Sequence, residues 1–168
     1  NALQANWTHL PVGYHGRASS IVLDGTPIVR PKGQLAPPEG EKNPVWSACQ
    51  RLDFELEMGF FIGKGNKLGE PIDIENANDH LFGAVLLNDW SARDIQKFEY
   101  VPLGPFGAKN WATTISPWIV TLDALEPFRA ATSAVSQTDP VPLPYLVDPN
   151  YSSYDIDLSV TVSSSTGA

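Results

Sequence analysis

The chain has 168 residues, 42% of them hydrophobic, which is enough for one domain with its own core and excludes a disordered polymer. A formal charge of −8 denies it the basic face that duplex binding requires, so nucleic acid is excluded as an expected partner. Fifteen prolines and thirteen glycines favour turns and short strands over long helices, hence a mainly β fold with a few short helices.

Along the chain, residues 19–30 read as a β-hairpin. Ser20-Ile21-Val22-Leu23 and Thr26-Pro27-Ile28-Val29 flank Asp24-Gly25, a pair suited to a type I′ turn. Residues 31–45 carry Pro31, Pro37, Pro38 and Pro44 and read as a loop. Cys49 is the single cysteine, so no internal disulfide is possible. With no secretory-type start, this points to a reducing, cytoplasmic setting. It has no activating neighbour and is read as a packing residue.

Residues 51–62 alternate, with Leu52, Phe54, Leu56 and Met58 on one face and Asp53, Glu55 and Glu57 on the other. That is a strand signal. Gly63-Lys64-Gly65-Asn66 closes it. Gly83-Ala84-Val85-Leu86-Leu87 reads as a buried strand ending at Asn88-Asp89-Trp90. Ser91 offers an N-cap for a helix over residues 92–100, with Asp94 in a box-like position and Val101-Pro102 as its stop. Residues 115–122 read as a strand interrupted by Pro117, and residues 126–149 as a long surface loop. Tyr154, Ile156, Leu158, Val160 and Val162 give the cleanest strand alternation in the chain. No apolar run reaches membrane-spanning length, so no membrane partner is expected. The chain opens without methionine and its last strand pattern runs straight into residues 163–168, so it is read as an internal stretch of a longer protein.

Five groups of residues carry potential chemistry. Residues two apart on a strand share a face roughly 6.6 Å apart, so Glu55 and Glu57 can lean toward one cation. Carboxylate oxygens are hard ligands suited to Ca²⁺, Mg²⁺ or Mn²⁺. On the pattern alone, a solvated strand face is the plainer reading. Asp89 stands where a strand hands over to a helix, a favoured place for a ligand-binding side chain. Arg93, Gln96 and Tyr100, at i, i+3 and i+7, share one side of a helix and form a donor array for a carboxylate or oxyanion, or an ordinary polar face. Tyr14-His15-Gly16-Arg17 lies in a polar loop from which Tyr14 and Arg17 can reach a ligand. Lys109 and Thr113 are candidates for an oxyanion donor and a metal contact, although an exposed lysine is the default.

Asn88-Asp89-Trp90-Ser91-Ala92-Arg93-Asp94 resembles the NDxSARD signature of the fumarylacetoacetate hydrolase family, and Leu52-Asp53-Phe54-Glu55-Leu56-Glu57 resembles its paired-glutamate strand. His9-Leu10-Pro11-Val12-Gly13-Tyr14-His15-Gly16-Arg17-Ala18-Ser19-Ser20 and Glu99-Tyr100-Val101-Pro102-Leu103-Gly104-Pro105-Phe106 resemble the family's fumarylacetoacetate-cleaving branch rather than its smaller members. The resemblance implies a mixed β-sandwich roll, with residues 1–168 forming part of a single catalytic domain. It implies a cytoplasmic homodimer that hydrolyses a carbon–carbon bond of the β-diketo acid 4-fumarylacetoacetate, giving fumarate and acetoacetate in phenylalanine and tyrosine catabolism. An acylpyruvate or other 2-oxo acid hydrolase of the same family is the alternative, as is an inactive metal-binding β domain.

By the same resemblance, Glu55, Glu57 and Asp89 are metal ligands, with Ca²⁺ and Mg²⁺ the expected cations. Lys109 and Thr113 line a second, Mg²⁺ site that also uses Asp89. Tyr14, Gln96 and Tyr100 match substrate-binding positions. Arg93, Gln96 and Lys109 match the group that stabilises the oxyanion and the leaving carbanion. The family's water-activating histidine and one further metal carboxylate fall in a segment before Asn1, and further substrate contacts fall after Ala168. Ala112 stands where the family usually has glycine, and a methyl group there restricts positive φ.

Overall fold

The structure, a computed structural model, describes residues 3–13, 16–131 and 137–166. Tyr14 and His15 lie outside the described residues. The backbone divides into two compact units. One comprises Pro11–Phe60 and Ala84–Ile119; the other comprises Asn1–Leu10, Phe61–Gly83 and Val120–Ala168.

In the first unit, Ile21–Leu23 (β1) is a strand, but it does not form the expected hairpin. Gly25 alone has positive φ, at +83°, whereas a type I′ turn needs positive φ at Asp24 as well. The Thr26 N–H instead bonds the Leu23 carbonyl, closing a β-turn with its glycine at the third position, as type II turns require. The strand finds its partner at a distance. It pairs in parallel with Thr113–Ile115 (β8), Ile21 opposite Thr113.

The proline-rich loop contains a strand the sequence did not announce. Lys32–Leu35 (β2) pairs antiparallel with Val45–Ala48 (β3). The expected strand over 51–62 is split into Leu52–Asp53 (β4) and Leu56–Ile62 (β5). Leu81–Asp89 (β6) follows and is buried at Gly83, Ala84 and Val85, as its apolar run required. It lies between β8 and β5, so the main sheet runs β1-β8-β6-β5 and is mixed. Ser91–Ala92 (β7) pairs with β4, and Arg93–Glu99 forms helix α1.

Ser91 does not cap that helix. Its fully buried hydroxyl donates to the Asp89 carbonyl, because β7 pairing turns it away from the helix end. Asp94 works at the helix start instead. Its carboxylate accepts the N–H groups of Ile95 and Gln50 and the Cys49 thiol. Burial followed by this bond to Asp94 raises the Cys49 pKa to about 11, so the thiol stays protonated and unreactive. Cys49 is a packing residue, 1% exposed, in a core with Leu35, Ala92, Ile95 and Ala108.

This core sets a tight distance between α1 and β2. A Cβ on Gly33 would lie 2.8 Å from Ile95 Cδ1 and 2.9 Å from its Cγ2. A β-branched side chain on a helix has essentially one χ1 rotamer, so Ile95 cannot swing clear. Gly33→Ala is expected to cost about 1–3 kcal/mol of stability, read as a lowered urea midpoint. An unchanged midpoint would show that helix and strand separate freely.

In the second unit, Val120–Thr121 (β9) leads into Leu122–Leu125 (α2), whose N-terminus is capped by the Thr121 hydroxyl. The expected long loop over 126–149 therefore carries structure. A 3₁₀ turn at Glu126–Phe128 precedes Arg129–Ala131 (β10), and another 3₁₀ turn lies at Pro144–Leu146. β10 pairs antiparallel with Ser152–Tyr154 (β11). The clean alternation beyond Tyr154 is not a strand: residues 155–164 have no regular structure and are exposed. Alternation assigns faces but does not supply a pairing partner, and no described strand lies beside that segment. Among the described residues no helix is long and apolar enough to cross a membrane. The fold is thus mainly β, with mixed sheets and a few short helices.

Candidate metal centre

The site is assembled where the alternation of the acidic strand breaks. At the junction of β4 and β5 the Glu55 N–H donates to the Asn88 side chain at 3.0 Å. The Asp89 N–H donates back to the Glu55 carbonyl at 3.2 Å. These two bonds lock the end of β6 against the strand break and bring Asp89 beside Glu55 and Glu57. One ligand atom from each of the three carboxylates lies within 4.8 Å of the others. Thr113 is opposite Asp89 in the β6–β8 ladder.

Two cations reach the same place from different elements. The Arg93 Nε meets Asp53 Oδ2 at 2.8 Å, and its Nη1 meets Glu55 Oε1 at 2.7 Å. Gln96 Oε1 accepts from the same Nη1 at 3.3 Å, so the i, i+3 pair on α1 does share a face. Lys109 is not the exposed lysine of the default reading. It is only 5% exposed, and its ammonium contacts Glu55 Oε2 at 2.5 Å and Asp89 Oδ2 at 3.2 Å. Each oxygen of Glu55 is therefore held by a different cation. Tyr100, one residue past the helix, is exposed.

This distribution of charge separates the carboxyls. Burial tends to raise Glu55, but hydrogen bonds from Lys109 and Arg93 outweigh it and hold the group below the usual range. At Glu57, burial, the bond to Glu55 and the charges of Asp89 and Glu55 push the carboxyl up; the charge of Lys109 also pulls downward, but it is outweighed. Burial also raises Asp89, against the opposing pull of Lys109. Asp53 is lowered by its bond from Arg93. Four ionised carboxylates against two cations leave two negative charges, which one divalent ion would balance. The donor set is all carboxylate oxygen, which suits Ca²⁺ or Mg²⁺.

The residues thus fit a divalent cation held by Glu55, Glu57 and Asp89. The Lys109 ammonium has no lone pair to offer a metal, so its side chain acts here as a donor. Ala112 is buried without positive φ, so the methyl group raises no backbone conflict. Two contributors escaped the sequence reading. Asp53 shares the acidic face but serves as the Arg93 partner, and Glu99 organises the turn before Lys109. Only the shared strand face pointed to the first, and no local signal pointed to the second.

The family model for the C-terminal region of fumarylacetoacetate (FAA) hydrolase matches residues 1–166. The chain belongs to the fumarylacetoacetate hydrolase family. It is 62% identical to the fumarylacetoacetase of Bos taurus over 162 residues, which cover 96% of this chain and 38% of that protein. The fumarylacetoacetase of Dictyostelium discoideum is 61% identical over 165 residues, 98% of this chain and 38% of its own length. That of Arabidopsis thaliana is 58% identical over 160 residues, 95% of this chain and 37% of its own. The chain therefore spans little more than a third of the length of these relatives. The NDxSARD-like stretch and the paired-glutamate strand are the two segments that meet at the carboxylate cluster.

Proposed function

We propose that this chain supplies the metal-binding part of a fumarylacetoacetase, which hydrolyses a carbon–carbon bond of 4-fumarylacetoacetate to fumarate and acetoacetate. The observation that carries the reading is the Glu55–Glu57–Asp89 cluster with Arg93 and Lys109 built into it. The similarity to fumarylacetoacetases along nearly the whole chain supports the choice of substrate.

Glu55, Glu57 and Asp89 would hold Ca²⁺ or Mg²⁺, which would polarise a carbonyl of the β-diketo substrate. Arg93, Gln96 and Lys109 supply fixed donors for negative charge developing on the substrate oxygens and the departing carbon fragment. Their positions are set before substrate arrives: Arg93 is anchored by Asp53 and Glu55, and Lys109 by Glu55 and Asp89. Tyr14 and Tyr100 are proposed substrate contacts, and Thr113 a contact of a second, Mg²⁺ site. The proposal extends to a homodimer working in the cytoplasm, and a single buried, unpaired Cys49 accords with a reducing compartment.

The test follows loss of the diketone absorbance by the full-length protein that contains this chain. Cleavage should disappear with a chelator, return with Ca²⁺ or Mg²⁺, and exceed cleavage of acylpyruvates. Faster turnover of acylpyruvates would move the substrate assignment to the family's other branch. Metal-independent turnover would overturn the assigned role of the cluster.

A further inference from the structure

Lys109 reaches the carboxylates from a short turn that has no sheet partner of its own, so something else must fix it. Glu99, the last residue of α1, is half-buried and faces that turn. Its Oε1 accepts the Phe106 N–H at 2.9 Å and the Ala108 N–H at 2.7 Å, and its Oε2 accepts the Gly107 N–H at 3.2 Å. Three consecutive backbone N–H groups thus close around one carboxylate, the concave arrangement that binds anions. The Phe106 carbonyl in turn accepts the N–H groups of Lys109, at 3.0 Å, and Asn110, at 2.8 Å. The Ala108 carbonyl accepts the Ala92 N–H at 3.0 Å, tying the turn to the start of α1.

We propose that Glu99 is a positioning residue for Lys109. A single helix then sets both cations of the site: Arg93 at its first residue directly, and Lys109 through Glu99 at its last. The role belongs to Glu99 because its two oxygens satisfy three donors that would otherwise compete for water or for a different turn. It touches neither the carboxylate cluster nor its cations in any described contact, so it acts through the backbone of residues 106–108. The inference rests on geometry alone and stands whether or not the fumarylacetoacetase reading holds.

The experiment observes the Lys109 ammonium by NMR in the ¹⁵N-lysine-labelled chain without added metal. Lys109→Met assigns the signal by its loss. In the native chain the ammonium protons should exchange slowly, because Glu55 and Asp89 hold them. Glu99→Gln offers one carbonyl oxygen to three donors and sets an amide group against them. Exchange at Lys109 should then quicken by about tenfold, the scale set by losing a hydrogen bond to a charged group, while the circular dichroism spectrum is unchanged. Glu99→Ala should quicken it further. Unchanged exchange in folded Glu99→Gln would overturn the proposal. So would failure of Glu99→Gln to fold, which would make Glu99 a general support of the unit rather than a positioning residue.

Discussion

Lys109→Met is expected to lower the unfolding free energy of the metal-free chain by about 3 kcal/mol, measured by urea denaturation. The substitution keeps most of the side-chain volume but removes the ammonium held by Glu55 and Asp89. Breaking a buried ion pair from one side costs about 3–5 kcal/mol, because the remaining charge stays behind without compensation. The lower end applies here, since the Glu55 and Asp89 side chains are 26% and 20% exposed and retain some water. Arg93 also continues to hold one oxygen of Glu55. Adding Ca²⁺ or Mg²⁺ should restore more stability to the variant than it adds to the native chain, because the ion replaces the lost positive charge. An unchanged urea midpoint in Lys109→Met would show that the ammonium is not balancing the carboxylates.

Glu57→Gln is expected to have opposite effects with and without metal. In the metal-free chain the Glu57 carboxyl is pushed up by burial and by its acidic neighbours. A carboxyl raised in the folded state contributes stability below its unfolded pKa and loses it as pH rises through the folded value. At neutral pH the ionised group therefore works against the fold, and the neutral amide should raise the metal-free melting temperature. With metal the sign reverses. Removing a charged ligand from a three-carboxylate set should weaken divalent binding by about 100-fold, the upper range for outer-shell changes and a modest expectation for a direct ligand. At a cation concentration 100 times the native dissociation constant, the native chain gains about 2.7 kcal/mol and the variant only about 0.4 kcal/mol. Calorimetric titration and melting curves with and without Ca²⁺ measure both. A variant that binds the cation as tightly as the native chain would remove Glu57 from the ligand set.

Both outcomes depend on an arrangement that was only partly legible in the sequence. The residue types at the site could be read directly. Alternation put Asp53, Glu55 and Glu57 on one face of an extended segment, and helical spacing put Gln96 beside Arg93, as the structure bears out. The buried strand before Asp89 followed from its continuous apolar run. These are local properties, fixed by the geometry of a strand or a helix over a few residues.

Pairing and burial could not be read that way. Asp24-Gly25 signalled a hairpin, but β1 found β8 some ninety residues later and the turn took another type. The alternation after Tyr154 lacked a neighbouring strand and stayed irregular. Ser91 had the right chemistry for a cap, but pairing with β4 placed it in a strand. The sequence by itself determined a mainly β chain carrying an acidic pair, a lone Asp89 and a basic residue at each of two later positions. Tertiary structure alone decided that Lys109 is buried against Glu55 and Asp89, and that Asp53 is spent on Arg93. The physical reason is range: a side chain's charge state and partner depend on groups brought near by hydrogen-bonded strands distant in sequence, and no periodicity along one segment encodes that distance.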